Sequence, residues 1–343
     1  DPNLFVNGIS HKVYRALLAE PNNPLVNRAI AGRYAPGSTI KPFIGLAALY
    51  YGVLTPTTTL FAGPTFTLPH YSHVFHNWDP YQNGYQTLAG AIKRSTDTFF
   101  YAVAEQLGIH KIHATLARFG FGKVPPVDIP GALAGVNPSP AWKQRTQGHG
   151  WYPGNTVNEG IGQGYLLATP LQLASATAAI AAHGKRMRPH ILEASVNSTT
   201  GKLTRVKPDL LHTVKLPDPS YWNYIVNAMH QVIASPRGTA HSIAAGLKYP
   251  MAGKTGSAQV VSIYHAATVK EKNIPFEHRV NGLFIAFSPL VHPEIAVAVV
   301  VQHGGEGAHS AAPIARAIIT TWLKKHPPKP SLQTLTDDVS QSP

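Results

Sequence analysis

Residues 38–52 are the most restrictive stretch of this 343-residue chain: an almost wholly apolar helix that opens on a serine and a lysine three positions apart. A helix apolar on most sides must be packed on most sides, so the fold has to wrap other elements around it. Ser38 and Lys41 fall on one face of that helix, within reach of each other. Pro36-Gly37 starts the helix abruptly and leaves Ser38 in its first turn, where free backbone N–H groups and the positive end of the dipole favour developing negative charge. Pro42 is compatible with this, because the first turn tolerates a residue without an N–H. A serine hydroxyl is a weak nucleophile until a base takes its proton, and a partly desolvated lysine can be that base. Alone, the pattern reads equally well as a capping serine beside a solvated lysine.

Two further motifs change the balance. Lys254-Thr255-Gly256 opens a β-branched, strand-like run over 252–263, and Ser95-Thr96-Asp97 interrupts a helical stretch over 88–120. Gly253 and Gly256 beside Lys254 suggest a strand edge that a substrate backbone approaches closely. Two more strand-like runs follow at 280–287 and 294–302. Helices are predicted at 11–18, 171–183 (entered through Thr169-Pro170), 221–234 and 311–324. Residues 55–87 read as a Pro-, Thr- and aromatic-rich insertion, and 121–158 as a Pro/Gly-rich loop. The tail 327–343 has the composition of a disordered segment.

The chain has no cysteine, which removes disulfides and thiol chemistry, and its 44% hydrophobic content is ample for a core. A net charge of +13 would fit nucleic acid, but the basic residues are scattered, with no run beyond Lys324-Lys325, so no nucleic-acid partner is expected. The charge fits a solvated basic surface or attraction to an anionic membrane face or wall polymer. No stretch of about 20 apolar residues is present to span a bilayer.

A Ser-x-x-Lys, then Ser-x-Asn or Ser-x-Asp, then Lys-Thr-Gly, in that order, resembles the penicillin-recognising serine acyltransferases. Asn27-Arg28-Ala29, residues 34–43, Asp97-Thr98-Phe99-Phe100-Tyr101, Gly160-Ile161-Gly162-Gln163-Gly164-Tyr165 and Ala168-Thr169-Pro170 extend the resemblance to the class B penicillin-binding proteins, elongation branch, over nearly the whole chain. The resemblance implies an α/β (α+β) fold: an antiparallel sheet flanked by helices, with an inserted helical lobe. Residues 1–44 and 171–326 would form the sheet lobe and 45–170 the helical lobe, together one transpeptidase domain over 1–326. It also implies an excised catalytic region, normally preceded by a membrane anchor, a pedestal domain and two further strands of the sheet. The location would be the periplasmic face of a bacterial inner membrane.

The activity so implied is peptidoglycan DD-transpeptidation through a serine acyl-enzyme, with stem peptides ending in D-Ala-D-Ala as substrate and β-lactams as mimics. Ser38 would be the nucleophile and Lys41 its base. Ser95 would bridge Lys41 and Lys254 as proton relay, with Ser38 and Ser257 supplying oxyanion-hole N–H groups. Thr255, Gly256 and Ser257, with the charge of Lys254, would hold the substrate carboxylate, and Asp97 would face the substrate amide. A membrane glycosyltransferase and an elongation scaffold are the implied partners. No cofactor is needed. A serine β-lactamase, a non-catalytic β-lactam sensor and a division-specific transpeptidase are the alternatives. Some members bind zinc beside the site through two Asp, a His and a Cys; here Ala62, Asn77, Asn83 and Thr96 stand at those positions, so no metal is expected there. His70, His73, His76 and Asp79 are metal-ligating types in the insertion, but in a loop-like context.

Overall fold

A computed structural model describes residues 2–259, 275–276 and 279–328. Its centre is a three-stranded antiparallel sheet, with Asn281–Ser288 between the Lys254 strand (Ala252–Ala258) and an outer strand, Ile295–Val301. The register sets Ile285 opposite Lys254 and Phe284 opposite Thr255. The middle strand is buried along almost its whole length, which is why it reads as a continuous apolar run rather than an alternating one. Helix Gly307–Lys325 packs on all three strands, Pro170–Ala181 on the outer and middle ones, and Ser220–Ala234 on the Lys254 strand.

The helix that opens on Lys41 runs Lys41–Tyr50 and is buried from Lys41 to Leu49, as its all-round apolarity requires. It is held between Asp97–Arg118 and Ser220–Ala234. Phe43 meets Phe119 and Phe121 edge-on, at 5.0 and 5.5 Å between centroids. Truncating such a side chain typically costs about 3–5 kcal/mol, so the position of the helix is firmly set.

The helical stretch over 88–120 divides as expected, into Leu88–Arg94 and Asp97–Arg118. The supposed loop 121–158 instead contains helices Pro140–Gln147 and Pro153–Glu159. Their prolines sit at the first helical turn, where a missing N–H costs nothing, so they start helices rather than break them. The 55–87 insertion contains two short ladders, Thr59–Phe61 with Tyr85–Thr87 and Thr65–Thr67 with Val74–His76. Two more two-stranded ladders, Lys185–Met187 with Leu210–Thr213 and Ala194–Val196 with Leu203–Arg205, were not anticipated. The last four positions of the 252–263 run and residues 329–343 of the tail lie outside the described residues.

Candidate active site

Ser38 lies in a 3-10 turn, Gly37–Ile40, immediately before the buried helix. Gly37 has φ +52°, its N–H donates to Gly162 O at 2.9 Å, and a Cβ there would stand 2.7 Å from Ser257 O. Only glycine fits between these two backbones. Gln163 Nε2 donates to that same Ser257 O at 3.3 Å. The loop through Gly162, the Ser38 turn and the Lys254 strand are thus locked at one point, with Ser38 and Ser257 as neighbours.

On the side where a side chain would project, Gly256 is closed off by the protein itself. A Cβ there would lie 2.8 Å from Thr39 Cγ2 and 3.0 Å from Pro36 O, and one at Gly253 would lie 2.7 Å from the Phe284 ring. Both glycines let the protein's own turn and neighbouring strand approach, so the packing of the fold is by itself a reason for glycine at these two positions.

The polar centre is a knot of four side chains. Ser95 ends helix Leu88–Arg94 in the left-handed conformation, φ +57°, which brings its hydroxyl and carbonyl in among the amines. Lys41 Nζ donates to Ser95 O at 2.7 Å, to Ser95 Oγ at 3.3 Å and to Asp97 Oδ1 at 2.6 Å. Lys254 Nζ donates to Ser95 Oγ at 2.8 Å and to Thr255 O at 3.0 Å. Ser95 therefore does bridge the two lysines. Lys41 spends its three donors on Ser95 and Asp97, and no hydrogen bond joins it to Ser38 in this structure.

Both ammonium groups are fully buried. Burial holds Lys41 below the ordinary lysine range, with the charge and hydrogen bond of Asp97 opposing it. Lys254 lies well below that range, through burial first and the like charge of Lys41 second. One carboxylate thus serves two buried amines, which favours shedding a proton from the pair.

Asp97, expected to face the substrate amide, is turned inward. Oδ1 accepts from Lys41, and Oδ2 accepts from Trp78 N at 3.2 Å. The reason is charge: a largely buried carboxylate beside a buried ammonium pairs with it first. Asn77 Oδ1 accepts from Asp97 N at 2.8 Å, and Asn77 Nδ2 donates to Gln82 Oε1 at 2.9 Å. Gln82 Nε2 in turn donates to Thr96 Oγ1, which donates to Gln86 Oε1 at 2.9 Å. Two of the four positions that carry zinc ligands in some relatives, Asn77 and Thr96, are therefore joined through Gln82 in a buried amide–hydroxyl network. Amides and a hydroxyl that already satisfy one another do not suit a zinc ion, which wants thiolate, imidazole or carboxylate. In the insertion, the His73 ring stacks edge-on to Phe75 at 4.6 Å and Asp79 pairs with Arg94 at 3.4 Å. Among the described residues no group of three or more metal-ligating side chains converges.

Sequence reasoning missed three neighbours. Gln82 and Thr239 had no local signal. Thr239 Oγ1 lies 2.7 Å from Thr255 Oγ1, a contact between segments 16 residues apart that only the fold creates. Glu159, next to the Gly160-Ile161-Gly162 stretch, is fully buried. Its Oε1 accepts from Tyr165 N at 2.9 Å, while Oε2 has no partner among the described residues. Burial pushes its carboxyl up to about 8, against backbone hydrogen bonds that pull the other way.

The penicillin binding protein transpeptidase domain family matches residues 1–320. The chain is 39% identical over 321 residues to the peptidoglycan D,D-transpeptidase MrdA of Salmonella typhimurium, covering 93% of this chain and 51% of that protein. Among solved structures it resembles Pseudomonas aeruginosa PBP2 in complex with WCK 5153 at TM-score 0.82 and 42% identity, covering 94% of this chain and 66% of that one. It also resembles Helicobacter pylori PBP2 in complex with MreC at TM-score 0.79 and 29% identity, covering 95% and 56%. The chain spans about half the length of the curated relatives it matches.

Proposed function

The chain belongs to the penicillin-binding protein transpeptidase domain family, and on that premise we propose that it cross-links peptidoglycan stem peptides through an acyl-enzyme on Ser38, in cell elongation. The observation that carries this reading is Ser95 Oγ, placed 3.3 Å from one buried amine and 2.8 Å from the other at the foot of the Ser38 turn.

In the proposed cycle Lys41, neutral once it has lost its proton, turns from Ser95 and Asp97 to Ser38 and takes the hydroxyl proton. The serine oxygen attacks the carbonyl of the penultimate D-alanine. The N–H groups of Ser38 and Ser257 receive the oxyanion, and each such donor is typically worth about 3 kcal/mol. Ser95 passes the proton to the departing D-alanine, and Lys254, Thr255 and Ser257 hold the terminal carboxylate. Asp97 serves as the counter-ion that sets when Lys41 loses its proton. An amine from a second stem then attacks the ester and releases Ser38. β-Lactams enter the same first step.

The setting is the periplasmic face of a bacterial inner membrane. A scaffold like the MreC bound to the H. pylori relative, and a membrane glycosyltransferase, would be the partners. Intact mass after incubation with penicillin tests the chemistry. One stable adduct is expected on the wild type and none on Ser38→Ala. An adduct that decays as penicilloic acid accumulates would make the protein a β-lactamase. No adduct on the wild type would overturn the reading.

A further inference from the structure

The amide network beneath the Ser95 turn has a direction. Gln82 is fully buried and uses both ends of its side-chain amide. Its Oε1 accepts from Asn77 Nδ2 at 2.9 Å, and its Nε2 donates to Thr96 Oγ1. Thr96 Oγ1 in turn gives its own proton to Gln86 Oε1 at 2.9 Å. Asn77 Nδ2 also donates to Asp79 O at 3.0 Å, which leaves Asn77 Oδ1 aimed at Asp97 N, 2.8 Å away. An amide turned the other way at Gln82 would set donor against donor at Asn77, so its orientation fixes that of Asn77.

The network secures the start of helix Asp97–Arg118. The first N–H groups of a helix have no partner within it. Thr96 stands at the N-cap position, yet its side chain makes no capping hydrogen bond, being spent on Gln82 and Gln86. Asn77 supplies the cap from outside, across 20 residues of chain. The residue so capped is Asp97, whose Oδ1 meets Lys41 Nζ at 2.6 Å. On the other side of Thr96 is Ser95, the bridge between the two lysines.

Resting on the proposed function, the structure assigns Gln82 a positioning role in acylation: by holding Asn77 and Thr96 in one polarity it sets Asp97 against Lys41 and Ser95 between the two lysines. Without Gln82 the Asn77 amide is free to turn, the cap on Asp97 is lost, and the counter-ion of Lys41 loosens. The other ionisable groups around Asp97 are Lys254 beyond Ser95, Tyr101, which feels the charge of Asp97, and the Asp79–Arg94 pair next to Trp78. Among the described residues no other acid pairs with Lys41, so a looser Asp97 means an amine that gives up its proton at lower pH.

Penicillin acylation followed by intact mass, over a range of penicillin concentration and of pH, separates the binding constant from the first-order acylation constant. Gln82→Leu keeps the size of the side chain and removes both of its hydrogen bonds. It should lower the acylation constant about tenfold, the size of one lost hydrogen bond. The binding constant should stay unchanged, and the rise of rate with pH should move to lower pH. In Asp97→Asn protein the same substitution should move the profile no further, because both changes act through one group. Gln86→Leu breaks the network beyond Thr96, away from Asn77, and should leave the profile in place. Asn77→Ala removes the cap itself and should reproduce the shift; it carries the test if Gln82→Leu does not fold. A wild-type profile in Gln82→Leu and Asn77→Ala, an equal shift in Gln86→Leu, or a further shift on top of Asp97→Asn overturns the inference. A wild type that takes no adduct overturns the proposed function instead, whereas one that takes it at the same rate and pH as the Gln82 variant loses only the positioning role.

Discussion

Two buried acids near Ser38 are handled in opposite ways. Asp97 is paired: Lys41 sits on one oxygen and Trp78 N on the other, with a second lysine beyond Ser95. Glu159 has no cation on either oxygen among the described residues; its carboxyl accepts from backbone N–H groups and is pushed up to about 8 by burial. The first arrangement keeps a proton mobile between groups of competing affinity, as chemistry requires. The second holds a proton still, and what it holds in place is the loop whose Gly162 and Gln163 grip the Ser38 turn and Ser257. Buried charge in this molecule is paired where a proton has to move and neutralised where a backbone has to stay.

Removing the cation breaks that contrast most severely. Lys41→Met leaves Asp97 buried without its partner and should destabilise the protein by about 3 kcal/mol, while abolishing penicillin adduct formation. Adding Asp97→Asn should restore much of the melting temperature and none of the acylation. Thermal melts with intact-mass assays check both, and a Lys41→Met protein as stable as the wild type would show that Asp97 does not depend on this pairing.

Glu159→Gln sharpens the other half. Folded Glu159 keeps its proton up to about pH 8, whereas the unfolded chain loses it near 4.5. Wild-type stability from this group is therefore greatest below 4.5 and declines as pH rises toward 8. The glutamine variant should gain on wild type across that window by roughly 1–3 kcal/mol, read from denaturant melts at pH 5 and 8. A gap that stays constant with pH would mean that Glu159 is ionised in the fold.

The smallest effect is expected from Asp97→Asn alone. Asp97 opposes the burial that depresses Lys41, so its neutral replacement should depress Lys41 further. The rise of acylation rate with pH should move to lower pH; a shift upward would show that Asp97 acts other than through Lys41.

Much of the site was legible before the fold was known. Ser38, Lys41, Ser95 and Lys254 belong to short motifs whose residue types have few other uses together, and hydrogen bonds join the last three, with Ser38 in the turn just before Lys41. The buried helix was legible too, because nothing but all-round packing suits residues 41–49. Other features depend on who meets whom across the chain. The packing of Gly256 against Pro36 O and the Thr39 methyl leaves no trace in the sequence around it. Asp97 reads as a substrate contact until a buried ammonium is found 2.6 Å away. Gln82 and Thr239 have no signature at all, since amides and threonines are common on surfaces. Helices Pro140–Gln147 and Pro153–Glu159 were hidden by treating each proline as a stop.

The amide network around Gln82 bears on the order in which the protein assembles. Asn77 and Asp97 are 20 residues apart, whereas the Ser95–Lys254 contact closes a span of 159. Short closures form early and long ones late. The Asn77–Gln82–Thr96 network lets the Ser95 turn take shape as a local unit, and the Lys254 strand then arrives at a lysine's counterpart already in place. During refolding, the environment of Trp78 should settle before the protein can be acylated, so penicillin would label only chains that have completed the last and longest closure.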